Sequence, residues 1–80
     1  MQMERYKRIR DLREDRDLTQ EDMAAFLQVH QTTYSDYERE KVNIPLSALK
    51  KLAIFFGTST DYILDLTDEI RPYPRKKKRL

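Results

Sequence analysis

Within the stretch QVHQTTYSDYERE, residues 28–40, four polar side chains of complementary kinds lie close together: Gln31, Thr32, Ser35 and Asp36. A glutamine amide presents a donor beside an acceptor, the pattern that matches adenine N6 and N7. A threonine can hydrogen-bond a base edge or touch the thymine methyl, and a carboxylate can accept from cytosine N4. This is the chemistry of reading a surface. Nothing in the chain pairs a nucleophile with a base, cradles a phosphate or clusters metal ligands, so an enzyme or a metal protein is not expected. The same stretch nevertheless holds three acids, Asp36, Glu38 and Glu40, against one base, Arg39. A polyanion would be repelled unless those acids have other tasks.

The elements that must position these groups are all helical. The chain has one glycine and three prolines, apolar residues recur at spacings of three and four, and no strand pattern appears. Tyr6, Ile9, Leu12 and Arg13 share one face of a first helix over about Met3 to Asp15. Thr19 can cap a second helix, with Glu21 and Asp22 at its positive end and Leu18 stapled to Met23. That helix should end near Leu27. Val29 can staple to Tyr34 in a third helix from about Gln31 to Arg39, whose inward stripe is Tyr34, Tyr37 and Glu38. Pro45 suits the first turn of a fourth helix with stripe Leu46, Leu49, Leu52, Ala53 and Phe56, ended by Gly57. Ser59 then caps a short fifth helix containing Asp61, Tyr62, Ile63 and Leu64.

Two consequences follow for the polar cluster. Ala24 lets a crossing helix approach the second helix closely, and Tyr34 and Tyr37 pin the third helix to the core, which leaves Gln31, Thr32, Ser35 and Asp36 outward. Two helices joined by a three- or four-residue turn, the second with a polar outer face, form the unit that lays a recognition helix in the major groove. Arg13 and Glu38 both fall on inward faces. Each charge would be costly to bury alone, so the two are expected to pair, which frees Glu38 from facing any ligand. Glu40 is expected to be a solvated helix-end residue beside Lys41, leaving Asp36 as the acid at the groove.

The remaining features are less directive. His30 sits at a cap position without a second ligand, and Asp11 and Asp15 are surrounded by arginines; both read as structural or solvated. Ile54, Phe55 and Ile63 lie off the main stripes and are expected to form an exposed patch, the kind of surface that marks an interface. A two-fold dimer through the fifth helix and its neighbours is the expectation. Eighty residues make one domain with a small core. The absence of cysteine excludes disulfides and thiolate metal sites and fits a reducing cytoplasm. The longest apolar run, Leu52 to Phe56, is far too short to span a membrane, and no signal segment opens the chain, so a soluble cytoplasmic protein is expected. Charge is lopsided: residues 1–70 hold ten Lys/Arg against fourteen Asp/Glu, whereas residues 71–80 hold six bases and no acid. The chain therefore divides into a domain over 1–70 and a basic, Pro-containing tail over 71–80, in which Arg75, Lys76, Lys77, Lys78 and Arg79 are candidate phosphate contacts.

The segments LTQEDMAAFLQVHQTTYSDYERE and IPLSALKKLAIFFGTSTDYILDLTD resemble the Xre family of phage-repressor-like, Cro-type regulators, from about Tyr6 to Asp68. The resemblance implies an all-α, compact bundle of four to five helices of the lambda-repressor-like type, with the helix-turn-helix over about residues 20–39. It further implies binding to double-stranded operator DNA as a dimer, and repression. Gln31, Thr32 and Asp36 match base-facing positions; Gln20, Thr33, Ser35, Arg39 and Lys41 match positions at or near the phosphates. Arg13 and Glu38 match a structural ion pair. The chain departs from the family pattern at Gln28 and Glu40, where glycine is usual. A positive φ at either would cost on the order of 1 kcal/mol; alternatively the third helix runs on past Glu40, which would displace Lys41 and Asn43. A reading of a different class is a protein-binding module, such as an antitoxin, that uses its acidic body to hold a protein partner.

Overall fold

The computed structural model describes residues 7–72. The expected start of the first helix before Lys7, including Tyr6, and the tail bases Arg75, Lys76, Lys77, Lys78 and Arg79 lie outside the described residues. Five helices follow in order: α1 (Lys7–Asp15), α2 (Gln20–Leu27), α3 (Gln31–Glu38), α4 (Leu46–Phe56) and α5 (Thr60–Ile63). This is the all-α lambda-repressor-like arrangement. Among the described residues no strand occurs, and no helix is long and apolar enough to cross a membrane.

Local chemistry sets several of the helix ends. Thr19 caps α2 by accepting from the Asp22 N–H at 3.0 Å, while the Asp22 carboxylate accepts from the Thr19 N–H at 2.9 Å. Two otherwise orphaned donors are satisfied reciprocally. Ser59 accepts from the Tyr62 N–H at 3.0 Å and starts α5. Gln28 closes α2 in the left-handed conformation, φ 61°, and its N–H and that of Val29 reach back to the α2 carbonyls. Glu40, φ 60°, turns the chain after α3, and the Lys41 N–H donates to the Asp36 carbonyl at 2.9 Å. The third helix therefore does not continue through Glu40. Both positions adopt the backbone that favours glycine, at a cost on the order of 1 kcal/mol each. Only α4 ends in glycine, Gly57 at φ 65°.

The core is Ile9 and Leu12 from α1, Met23, Ala24 and Leu27 from α2, Tyr34 and Tyr37 from α3, Ile44, then Leu49, Leu52, Ala53 and Phe56 from α4, and Ile63. α2 packs on α3, while α1 touches both α3 and α5. The Tyr34 and Tyr37 rings meet edge to face, 6.2 Å between centroids.

Three expectations need correction. Pro45 precedes α4 as its cap residue instead of lying within the first turn, and Leu46 is 72 % exposed. Leu46 has the right angular position, but as the first helical residue it has no neighbouring element to cover it. Ile63 is fully buried and cannot belong to an exposed patch. α5 is one turn of four residues, too short for periodicity to define its inner face. Ile54 and Phe55 are both exposed as anticipated, although the Phe55 ring lies against Phe26 at 4.7 Å and meets Phe56 at 5.0 Å.

Candidate nucleic-acid interface

The α2–α3 pair brings Gln20, Gln31, Thr32, Ser35, Asp36 and Arg39 around one open concavity of about 270 Å³. Gln20 is the first residue of α2 and Gln31 the first of α3, so the two amides stand at the entrances of the two helices. Gln31, Thr32 and Arg39 are exposed; Gln20, Ser35 and Asp36 are partly buried in the walls. Of the other candidates, Thr33 is partly buried and Lys41 exposed, and neither lines the concavity. His30 forms the cap position of α3 without a side-chain cap bond, and no metal-binding group of His, Asp or Glu occurs among the described residues.

Under this surface sits a buried carboxylate. Arg13 Nε donates to Glu38 Oε2 at 2.7 Å and Arg13 Nη2 to Oε1 at 3.1 Å, a two-pronged pairing between α1 and α3. Arg13 Nη1 also donates to the Leu18 carbonyl at 2.9 Å, tying the α1–α2 turn to the same pair. Gln20 Nε2 donates to Glu38 Oε1 at 3.0 Å, and Arg10 Nε lies 3.7 Å from that oxygen. Burial alone would raise the Glu38 carboxyl, but the Arg13 guanidinium, followed by the Tyr34 hydroxyl and the Gln20 amide, outweighs it and holds the group below the usual carboxylate range. Burial, with Glu38 beside it, pushes the Tyr34 phenol up. The Tyr34 hydroxyl is enclosed next to this network without reaching a hydrogen bond of good geometry.

The roles of the three acids are thus separated, with Glu40, partly buried and not fully solvated as expected, at the turn after α3. Glu38 is 4 % exposed and faces inward, so its charge is compensated within the protein. Asp36 alone adds an acid to the concavity, where Arg39 is the base. Two participants were not foreseen from the sequence: the bond from Gln20 to Glu38, and the approach of Arg10. Spacing gives no sign of either, because each joins side chains on different helices, beyond the reach of any helical period.

A family model described as helix-turn-helix matches residues 9–63, more than half of the chain. The chain belongs to the Xre-type helix-turn-helix family of transcriptional regulators. This helix-turn-helix protein is 38 % identical over 71 residues to the uncharacterized HTH-type transcriptional regulator YobD of Bacillus subtilis, across 89 % of its own length and 63 % of that protein's. It is 44 % identical over 50 residues to the cryptic phage CTXphi transcriptional repressor RstR of Vibrio cholerae, across 62 % of its own length and 45 % of the repressor's. It therefore spans less than two thirds of the length of either relative.

Proposed function

We propose that this helix-turn-helix protein is a sequence-specific repressor that binds an inverted-repeat operator as a dimer. The observation that carries the reading is the convergence of Gln20, Gln31, Thr32, Ser35, Asp36 and Arg39 on one face of α2–α3. In a major groove, Gln31, Thr32 and Asp36 serve as base readers, with Gln31 suited to adenine and Asp36 to cytosine. Gln20, Thr33, Ser35, Arg39 and Lys41 serve the sugar–phosphate backbone, fixing register without reading sequence. Two copies related by a two-fold axis would place their α3 helices about 34–36 Å apart, one turn of DNA. Ile54 and Phe55 on α4 are among the exposed apolar residues available to that contact. The basic tail adds phosphate contacts that strengthen binding to all sequences alike. The mode of action is binding, not catalysis, and no cofactor takes part.

Selection from random duplexes, followed by sequencing of the bound pool, tests this reading. Enrichment of an inverted repeat whose half-sites are one turn apart is the expected result. Failure to enrich any motif at moderate salt overturns it and favours the protein-binding alternative.

A further inference from the structure

We infer that Glu38 is a positioning residue for the DNA-facing surface, holding the Gln20 amide in place from beneath. The inference rests on the reading that the α2–α3 face binds DNA. A carboxylate can only accept hydrogen bonds, so the amide nitrogen of Gln20, not its carbonyl, must face Glu38. That bond is 3.0 Å long, from Nε2 to Oε1. The acceptor is itself immobile: the Glu38 side chain has no exposed surface, and Arg13 grips both of its oxygens at 2.7 and 3.1 Å. Arg10 approaches the same Oε1 at 3.7 Å from the solvent side, with 40 % of its own side chain exposed. One buried acid thus joins α1 to α3 on its core side and fixes a wall of the concavity on its outer side.

The consequence for Gln20 is a defined presentation. A solvated glutamine swings about three side-chain torsions, whereas here one amide hydrogen is committed inward. The carbonyl oxygen and the second amide hydrogen remain for other partners. Gln31, Thr32 and Arg39 share the concavity and are exposed, so Gln20 is the fixed member of a set whose other ends are free to adjust. Affinity for DNA should then depend on Glu38 through Gln20, although Glu38 touches no ligand.

A double-mutant cycle on duplex binding tests this: Gln20→Ala, Glu38→Gln and the double variant, each verified as folded by its melting curve. Either single change should weaken binding to the selected duplex by roughly threefold to tenfold. Glu38→Gln should add nothing once Gln20 is alanine. Equal losses from Glu38→Gln in both backgrounds would overturn the positioning role. If Glu38→Gln does not fold, the pair replacement Arg13→Met with Glu38→Leu removes the anchor without leaving a lone buried charge, and the same cycle is run with it. In the free full chain, side-chain amide relaxation by NMR should show Gln20 restrained and Gln31 mobile. Gln20 should become as mobile as Gln31 when the carboxylate is removed; a Gln20 amide already as mobile as Gln31 in the unaltered chain overturns the inference. A chain that binds no duplex at all overturns the reading of function, an outcome distinct from additivity in a chain that binds.

Discussion

α1 is fastened to the rest of the molecule near each end by an arginine, and the two fastenings are of opposite kinds. Near its C-terminus, Arg13 meets one fully buried carboxylate, Glu38, with its own side chain 12 % exposed. Near its N-terminus, Arg8 spreads its donors over the carbonyls of Tyr62 and Thr67, at 3.1 and 2.6 Å, and over Asp65 and Asp68, both at 2.9 Å. Its guanidinium also lies 4.1 Å above the Tyr62 ring. The acids it meets are 40 % and 99 % exposed. A buried pair with few partners fails completely when one member is lost, because the other is stranded in a medium that cannot solvate it. A shared, solvated clasp weakens by degrees, since water and the remaining partners take over.

Arg13→Ala should have the largest effect, a loss of about 3–5 kcal/mol in chemical denaturation, because Glu38 is left charged and buried. In a domain of this size each kcal/mol moves the melting temperature by roughly 4–8 °C. Acidification should remove part of the same contribution. Glu38 ionises at lower pH when folded than its ordinary 4.5, so its stabilisation is present above that value and is lost as pH falls through the depressed folded value. Melting temperatures followed downward from pH 6 should show this loss in the unaltered chain and not in the Arg13→Met, Glu38→Leu pair. Arg8→Ala should cost less, about 1–2 kcal/mol, mostly from the two carbonyl bonds. A cost equal to that of Arg13→Ala in the same denaturation series would erase the distinction between the two ends. Asp68→Asn should leave the melting temperature unchanged within error, because Arg8 keeps Asp65 and both carbonyls.

The caps and apolar stripes of the helices were the most legible features in sequence, and the reasons are local. Caps such as Thr19 and Ser59 and stripes such as Leu49, Leu52, Ala53 and Phe56 act through neighbours three or four residues away, so spacing reveals them. The pairing of Arg13 with Glu38 was inferable because two charges stood where only apolar residues belong. Leu46 and Ile63 misled for the opposite reason: angular position within a helix does not say whether another element covers that turn. The backbone at Gln28 and Glu40 could be posed only as a question, since the left-handed conformation there is imposed by packing on either side against the preference of the residue itself. The polar concavity was legible in its α3 members. The dependence of Gln20 on Glu38 was not, because it arises only once α2 has crossed α3.

The arginines around α1 also span progressively longer stretches of chain: Arg13 reaches 25 residues ahead, Arg16 reaches 39 and 40 to the Phe55 and Phe56 carbonyls, and Arg8 reaches 54 to 60. α2 and α3 can form and meet with only a short loop to close, whereas the Arg8 clasp exists only after the whole domain has been threaded. A contact completed that late contributes little to the folding barrier and most to the barrier for leaving the native state. Arg8 is accordingly a determinant of how long the domain survives between openings, and not of how quickly it assembles.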